Sequence, residues 1–451
     1  MKSILRHISL TTILLFAVTL SAQEATTESA VAAKTPLPQK LSLAEAKRIA
    51  LETNPSLQVT VARLQAAAAQ LQQSQADYMP TLDLDASVQR TQEVPRQNGG
   101  TGRSHFTTYG AGTSLSWTLY DGMARKYDNM AKQLGVKIAE SLHQDARRSL
   151  LLSVATAYYD TLLEVENIRI AKEDLKYNLD LQETAQKKLE RGAGNRSDVL
   201  NFQIKAKGAQ ADLIQAEQNL KIRHYTLAQL LGYSPSEVPD GFELMQADDY
   251  SKDAALPSIA SCIEYAFEHR PDIAAQQETM HRQSAMLNYY DSDNLPKLDL
   301  FADYDLTRRS SPHFTHRDDS LVFGAKIRWN VFNGNKTRAK VAEAYAGVLE
   351  QRAALDALKQ EIERQVANQH TATNEARTLA DLKTETEKLA EETRDLVRTE
   401  YNIGRVTATR LNEAQTDLTN AQAARVKAII LYWQYRENLA ATIAKNIEET
   451  K

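Results

Sequence analysis

The sequence predicts an internally duplicated α+β membrane protein, with four β-strands per chain and long helices that form a coiled coil. Three observations predict this fold class. Long segments occur twice in the same order, four short stretches alternate strictly between polar and apolar residues, and two regions of about 67 residues each read as single helices.

The duplication is visible in matched segments of the two halves. Leu43–Leu57 reappears 216 positions later as Ile259–Ile273. The same spacing of 216 relates the two strand openings, at Pro80 and Pro296. A spacing of 212 relates the strand ends at Trp117 and Trp329, and the helical turns at Gly192 and Gly404. A repeat of this length, with its elements in the same order, indicates a structural duplication rather than an array of small repeats.

The composition excludes several classes of protein. The formal charge is −4 over 451 residues, and Lys and Arg do not cluster with aromatic residues, so no nucleic-acid partner is expected. The single cysteine, Cys262, cannot form an intramolecular disulfide, and we interpret it as a buried helical thiol. We find no catalytic triad, metalloprotease helix or phosphate loop, and therefore expect neither an enzyme nor a cofactor.

The N-terminus is predicted to be a secretory signal peptide. Lys2 and Arg6 precede an apolar run at 8–20, followed by small and polar residues. Residues 1–22 are assigned to this peptide and residues 23–40 to a polar leader. No later run of about 18 apolar residues follows in the sequence. An exported chain of this kind is periplasmic, secreted or in the outer membrane.

The rest of the chain divides into two matching halves, each predicted to contain a helix, a strand pair, a very long helix and a returning helix. The first half covers 41–231, with helices and strands over about 42–77, 81–90, 107–120, 123–190 and 197–231. An acidic, turn-rich linker covers 232–257. The second half covers 258–445, with elements over about 258–293, 297–307, 320–332, 335–402 and 408–445, before a tail at 446–451.

The strand pairs have the pattern of transmembrane β-strands. From Thr81 to Arg90, apolar residues such as Leu82 and Leu84 alternate with polar residues such as Asp83. Strict alternation over about 10 residues is typical of strands with one face in lipid, the alternative being an ordinary half-buried sheet. Four strands cannot close a barrel, so copies must associate: two copies give eight strands and three give twelve.

Two tryptophans are candidate membrane-interface residues. Trp117 and Trp329 each lie near the end of a predicted strand. Tryptophan is enriched where a membrane meets water, so both fit an interfacial aromatic girdle.

The long helices predict a stalk. A helix of about 67 residues is about 100 Å long at about 1.5 Å per residue, which is typical of coiled coils rather than of globular domains. The two shorter helices of each half together match one long helix in length. Each half is therefore expected to contain one continuous and one broken column of helix.

The duplicated layout and its motifs resemble the outer-membrane efflux protein family, the TolC-like outer membrane factors. The resemblance covers essentially the whole chain after the signal peptide. Its most specific parts are the Pro-x-Leu-x-Leu strand openings, the Trp-x-Leu-Tyr-Asp-Gly and Trp-Asn-Val-Phe-Asn-Gly strand ends, and the two glycine-containing helical turns.

This resemblance implies a homotrimer in outer-membrane lipid, with a shared twelve-stranded barrel continued by a helical periplasmic tunnel. It also implies two partners, a periplasmic adaptor protein and an inner-membrane pump that is either proton-driven or of the ABC type. The adaptor is expected to contact the helical turns, which carry Arg191, Gly192, Gly404 and Thr407.

The turns are also the expected periplasmic gate. Gly192 and Gly404 are predicted to adopt left-handed backbone, with Ser197 and Thr407 as N-caps of the returning helices. In the family, inter-chain links hold these turns closed; the residues carried over to this chain are Ser197, Asp198, Tyr401 and Arg405. A carboxylate that faces a hydroxyl and a guanidinium makes charge-assisted bonds.

The pore constriction is expected to be neutral. The second turn reads as one residue shorter than the first, and Arg405 follows Gly404 one residue earlier than in the family pattern. On that alignment the family's acidic ring corresponds to Thr409 and Asn412.

The expected function is an outer-membrane exit duct of a tripartite efflux pump, which conducts small molecules passively. One alternative is the duct of a type I protein secretion system. An alternative of another class is a structural periplasmic coiled coil that does not conduct. His313 and His316, near Asp318 and Asp319, are interpreted as a solvated loop rather than a metal site.

Overall fold

The computed structural model describes residues 37–93, 104–237, 239, 243–244 and 256–450. The predicted signal peptide, nearly all of the predicted leader and much of the predicted linker lie outside these residues. The described residues from Gln39 onward belong to one compact unit.

The helices and strands follow the predicted order in both halves. The first half contains β1 (Lys40–Leu41), α1 (Leu43–Thr53), α2 (Pro55–Ala76), β2 (Thr81–Glu93), β3 (Ser104–Tyr120), α3 (Ala124–Glu190) and α4 (Arg196–Leu230). The strand β4 (Glu243–Leu244) lies in the predicted linker and pairs with β1. The second half contains α5 (Ile259–His269), α6 (Pro271–Asp291), β5 (Lys297–Arg309), β6 (Asp319–Arg328), α7 (Lys336–Asn402) and α8 (Ala408–Thr442).

The four long strands form one antiparallel sheet in the order β2-β3-β5-β6. Its even-numbered β2 residues Leu82, Leu84 and Val88 are exposed on one face, together with Phe323 and Ile327 of β6. Successive residues of a strand point to opposite sides of the sheet, so the polar residues of the alternating sequence lie on the other face. The predicted alternation is therefore present in the folded sheet.

The helix lengths confirm the predicted columns. Helices α3 and α7 contain 67 residues each, and α4 and α8 contain 35 each. α2 packs on the first part of α3, where Thr60 Oγ1 lies 2.7 Å from His143 Nδ1. α4 packs further along α3, where Arg223 reaches Asp160 at 3.5 Å. One continuous helix thus lies beside one broken column.

The first helix of each half is broken, which the sequence analysis did not predict. Asn54 and Arg270 have extended backbone, and each precedes a proline that begins the next helix. A proline ring disfavours helical backbone at the residue before it, so Pro55 and Pro271 each end one helix and begin another.

Each break meets the end of a returning helix and forms a junction. Asn54 Nδ2 donates a hydrogen bond to the Leu230 carbonyl at 2.7 Å, close to the end of α4. In the second half, Arg270 Nη1 donates to the Thr442 carbonyl at 2.9 Å, at the end of α8. These bonds satisfy carbonyls that a helix end leaves without a partner.

One strand and one helix end earlier than predicted. β6 ends at Arg328, although the alternating pattern continues to about residue 332. Arg328 pairs with Lys297, the first residue of β5, and β6 has no strand on its other side in the described sheet, so the continuation has nothing on which to pair. α8 ends at Thr442, and a 3-10 helix covers Lys445–Thr450.

Across the described ranges, every helix is too short or too polar to cross a lipid bilayer.

Candidate functional site

The two helical turns have the same geometry. Gly192 and Gly404 have φ of +74° and +78°, which confirms the predicted left-handed backbone. The amide of Ala193 donates to the Lys188 carbonyl at 3.0 Å, and the amide of Arg405 donates to the Glu400 carbonyl at 2.9 Å. These bonds span five residues and close the C-terminus of each long helix in the same way.

One of the two predicted N-caps is wrong. Thr407 caps α8 as predicted, with its Oγ1 accepting from the Arg410 amide at 3.4 Å. In the first turn the cap is Asn195, whose Oδ1 accepts from the Ser197 amide at 3.2 Å. Asn195 has extended backbone, whereas Ser197 already lies inside the helix. The amide oxygen of Asn195 reaches the free N–H groups of the first turn, which the Ser197 hydroxyl does not cap.

The predicted difference in turn length is also absent. Five residues separate the helices in both turns, as the bounds of the helices show. The role of Thr409 and Asn412 as the pore constriction stays a prediction. Arg410 and Glu413 each lie one residue further along α8. These two residues are exposed and form an ion pair at 3.1 Å.

Thr409 and Asn412 have different surroundings. Thr409 is exposed, whereas Asn412 is 6% exposed and lies inside the coiled coil. Within the described ranges, the Asn412 side-chain oxygen accepts no hydrogen bond. Of the predicted pair, only Thr409 is therefore accessible from outside the chain.

The tips of the two helical hairpins, α3–α4 and α7–α8, share one apolar core. We call this core the tip cluster; it consists of Leu181, Ala185, Phe202, Val397, Tyr401, Ala408, Leu411 and Ala414. Both hairpins contribute residues, and Phe202 is 0% exposed. The hairpins of a single chain are therefore held together at their tips by burial of apolar surface.

Tyr401 occupies the contact between the hairpins. It is 7% exposed, and its ring meets the Phe202 ring edge-on at 6.0 Å between centroids. The Lys188 ammonium lies 4.4 Å from the centre of the Tyr401 ring, within range of a cation–π interaction. Burial raises the pKa of the Tyr401 hydroxyl, and the negative charge of Asp198 raises it further. Tyr401 therefore stays neutral well into the alkaline range.

The structure brings Asp198 and Tyr401 together within one chain. Both line a cavity of about 320 Å³ between the hairpin tips, next to Lys188 and Asn195. In the described part of the chain their side chains do not hydrogen bond to each other, so their interaction is electrostatic. Ser197 and Arg405 do not line this cavity and are exposed.

The residues predicted to contact an adaptor are all accessible. Arg191, Gly192, Gly404 and Thr407 are exposed at the turns. Their predicted role stays a prediction.

A second link between the hairpins was missed from the sequence. Asp174 of α3 accepts hydrogen bonds from Gln415 Nε2 at 2.8 Å and from Thr419 Oγ1 at 3.0 Å, both on α8. Gln415 lies between Leu411 and Leu418 in the apolar stripe of α8 and is buried. A polar residue at a core position of a coiled coil is the signal that could have revealed this link.

Both predicted interface tryptophans donate a hydrogen bond to a backbone carbonyl inside the chain. Trp117 Nε1 donates to the Tyr78 carbonyl at 3.0 Å, and Trp329 Nε1 donates to the Asn294 carbonyl at 3.0 Å. The two bonds tie strand ends to the short segments that join α2 to β2 and α6 to β5, at equivalent places in both halves. Both indoles are also exposed, and their place in an aromatic girdle stays a prediction.

The histidine-containing loop between β5 and β6 is organised by Asp318. Its carboxylate accepts from the Thr315 amide at 2.6 Å and from the Thr315 hydroxyl at 2.7 Å. No group of metal-ligating side chains was found in the described ranges, which include His313 and His316.

Comparisons with known proteins agree with this architecture. The sequence profile of the outer membrane efflux proteins matches residues 48–233 and 262–444. The chain is 25% identical to protein CyaE of Bordetella pertussis over 321 residues, which cover 70% of this chain and 65% of CyaE. It is 23% identical to the alkaline protease secretion protein AprF of Pseudomonas aeruginosa, over 67% of this chain and 64% of AprF. The match thus spans just under two thirds of these two relatives.

The fold is that of a solved outer membrane channel. The Campylobacter jejuni CmeC outer membrane channel superposes with a TM-score of 0.76 at 17% sequence identity. The superposition covers 90% of this chain and 89% of CmeC.

Proposed function

Because this chain belongs to the outer membrane efflux protein family, we propose that it is the exit duct of a tripartite pump that exports small molecules. As a member of that family it is an outer-membrane protein whose long helices lie in the periplasm. Its sheet supplies four strands to the family's trimeric, twelve-stranded barrel.

The main support for a conducting duct is the difference between the two faces of the sheet. The exposed apolar face, with Leu84, Phe323 and Ile327, suits the acyl chains of lipid. The opposite face carries Asp83, and Asp299 on that face accepts a hydrogen bond from Arg328 at 2.8 Å. A polar inner face suits a water-filled pore, whereas a scaffold that does not conduct needs no such lining.

The hairpin tips supply the gate in this proposal. The tip cluster holds the hairpins of one chain together, and the Asp198–Tyr401 pair lies beside it. Ser197 and Arg405 are exposed, so they are available to a neighbouring copy. The constriction is proposed at the exposed start of α8, where Thr409, Arg410 and Glu413 lie.

The proposed partners follow from the family. Three copies of the chain form the duct, an adaptor protein contacts the exposed turns, and an inner-membrane pump delivers the substrate. The exposed backbone of Gly192 and Gly404 leaves room for a partner to approach closely, since glycine has no side chain.

Protein secretion is the second candidate function. One observation favours it: AprF, to which this chain is 23% identical, is by its name a secretion protein. The same duct architecture suits either cargo.

Two experiments test the proposal. Purified protein in planar lipid bilayers is expected to give discrete single-channel currents, and the absence of any current would favour a scaffold. Deletion of the gene is expected to lower the tolerance of the cells to toxic small molecules. Unchanged tolerance together with loss of an exported protein would transfer the proposal to secretion.

A further inference from the structure

A cavity of about 940 Å³ lies where β6 ends and α7 begins. Four cationic side chains line it: Lys297 and Arg328 from the sheet, and Lys336 and Lys340 from the first turns of α7. Among the described residues that line it, the one carboxylate is that of Asp293. We call this space the cationic cavity.

The nearby carboxylates do not neutralise the four cations. Asp293 is shared between Lys297 Nζ at 3.5 Å and Lys340 Nζ at 3.3 Å. Arg328 has a carboxylate partner of its own at 2.8 Å. Lys336 is exposed, and among the described residues no carboxylate forms an ion pair with it. Two carboxylates therefore serve four cations, and positive charge is left over.

The internal duplication supplies a matched comparison for this cavity. Met123 and Asn335 directly precede α3 and α7, and both have left-handed backbone, with φ of +74° and +69°. The two helices therefore begin with the same geometry. The positions of the first half that are equivalent to the four cations are Thr81, Ser116, Ala124 and Asp128. The positive charge is thus a property of the second half alone, on a backbone that both halves share.

The first half also contains a carboxylate that the second half has lost. Asp121 Oδ2 accepts hydrogen bonds from the Arg125 amide at 2.9 Å and from Arg125 Nε at 3.0 Å, and so closes the start of α3. The equivalent residue is Asn333, whose Nδ2 donates to Thr337 Oγ1 at 2.7 Å. The start of α7 therefore lacks the carboxylate that the start of α3 has, although the N-terminus of a helix favours a negative charge.

We propose that the cationic cavity binds a phosphate group. A phosphate carries about one to two negative charges and several acceptor oxygens, which match the surplus of cations. Lysine is a common phosphate ligand because its ammonium acts as a point charge, and the N–H groups of a first helical turn bind the same anion. The phosphate takes the place that the Asp121 carboxylate fills in the first half.

Two sources carry this group at a membrane surface: the headgroup of an anionic phospholipid and a soluble phosphate compound. Trp329 also lines the cavity, and its indole is 60% exposed. With Trp329 at the membrane interface, as predicted, the cavity lies at the depth of the lipid headgroups. The inference goes beyond the proposed duct, because the site binds phosphate whether or not the chain conducts.

Calorimetric titration of the full chain, purified in a non-ionic detergent and phosphate-free buffer, tests the site. The two probes are inorganic phosphate and dihexanoyl phosphatidylglycerol, with the ionic strength held constant by NaCl because electrostatic binding depends on salt. Saturable binding of at least one probe is expected. Tighter binding of phosphatidylglycerol identifies a lipid headgroup as the source, and equal or weaker binding identifies a soluble phosphate. No saturable binding of either probe would overturn the proposal.

Removal of cations separates the cavity from the rest of the surface. Lys336→Gln with Lys340→Gln is expected to weaken binding of the preferred probe about tenfold or more, because two cations leave the cavity. The matched control is Lys126→Gln with Lys132→Gln, which removes the same charge near the start of α3 and is expected to leave the affinity nearly unchanged. An equal loss in both variants would show attraction to the whole protein and would rule out this site.

A carboxylate placed inside the cavity gives an independent readout. Asn333→Asp restores the acid that Asp121 supplies in the first half, so it is expected to compete with phosphate and to weaken binding at least several-fold. Asn333→Ser keeps the position neutral and is expected to bind like the unmodified chain. Thermal midpoints in phosphate-free buffer check that both variants are folded. Full affinity in a folded Asn333→Asp variant would contradict the placement of the phosphate at the start of α7.

Discussion

Replacing Phe202 by alanine is expected to loosen the contact between the two hairpins of one chain more than removing the Asp198–Tyr401 pair. Phe202 is fully buried and touches the Tyr401 ring from the other hairpin. A buried Phe→Ala change costs about 3–5 kcal/mol, because it removes apolar contacts and leaves a cavity. Asp198 is partly exposed, and a polar contact with a partly exposed charge contributes only about 0–1 kcal/mol.

The expected size of the effect follows from these magnitudes. Part of the Phe202→Ala cost falls on α4 itself and part on the joined state of the hairpins. If half of the lower value, about 1.5 kcal/mol, is lost from the joined state alone, the population of separated tips rises about tenfold. The double variant Asp198→Ala with Tyr401→Phe is expected to raise it only a few-fold, since the tip cluster remains nearly intact.

Single-channel recording measures this difference. Phe202→Ala is expected to raise the open-channel conductance or the fraction of time spent open, with the oligomer still assembled. Leu227→Ala is the control, because Leu227 is equally buried on α4 but lies outside the tip cluster. A larger increase in the double variant than in Phe202→Ala would refute the reasoning and make the polar pair the main closing contact. An equal increase in Leu227→Ala would show that general loosening is responsible.

Three further predictions concern the sheet, the caps and the pH dependence. Leu84→Arg is expected to cost about 2–4 kcal/mol if its face meets the bilayer midplane, whereas Asp85→Arg is tolerated; the heat stability of the oligomer measures both, and equal tolerance would contradict the assigned faces. Asn195→Ala is expected to cost about 1 kcal/mol of stability and Ser197→Ala almost nothing, measured by thermal unfolding, and the opposite order would restore Ser197 as the cap. Because the pKa of Tyr401 is raised in the folded chain, its contribution to stability is present below the unfolded pKa of about 10 and is lost as the pH rises through the higher folded pKa. Tyr401→Phe should remove that alkaline loss from the thermal midpoint, and an unchanged loss would assign it to other groups.

Much of the fold could be predicted because the signals are local. Alternation locates β2 and β3 to within a few residues, and both long helices were predicted to within one residue of their observed ends. The break before Pro55 was missed because the apolar pattern continues across it and only the backbone changes. The early end of β6 was missed for another reason: strand pairing depends on a neighbour, which the sequence of one chain does not specify.

The candidate site was predicted less completely because its contacts join distant parts of the chain. The residue types at the turns identified Asp198 and Tyr401, but not that Phe202 and Lys188 would enclose the tyrosine ring. The burial of Asn412 depends on how α8 is rotated against α3 and α7, which helical spacing alone does not give. The N-cap was misplaced by two residues because Asn and Ser are nearly equal in capping preference.

The junctions at Asn54 and Arg270 have a mechanical consequence. The returning helices α4 and α8 stop there, tied to the upper helices by side-chain bonds such as that of Asn54 to the Leu230 carbonyl. Only α3 and α7 run as unbroken struts from the sheet to the tips. A returning helix therefore reaches the strands only through the side-chain bonds and packing of its junction, whereas a continuous helix is joined to its strand by the backbone itself. A force on the tips can thus pass along an unbroken backbone in one column, but in the other it must cross a junction of side chains.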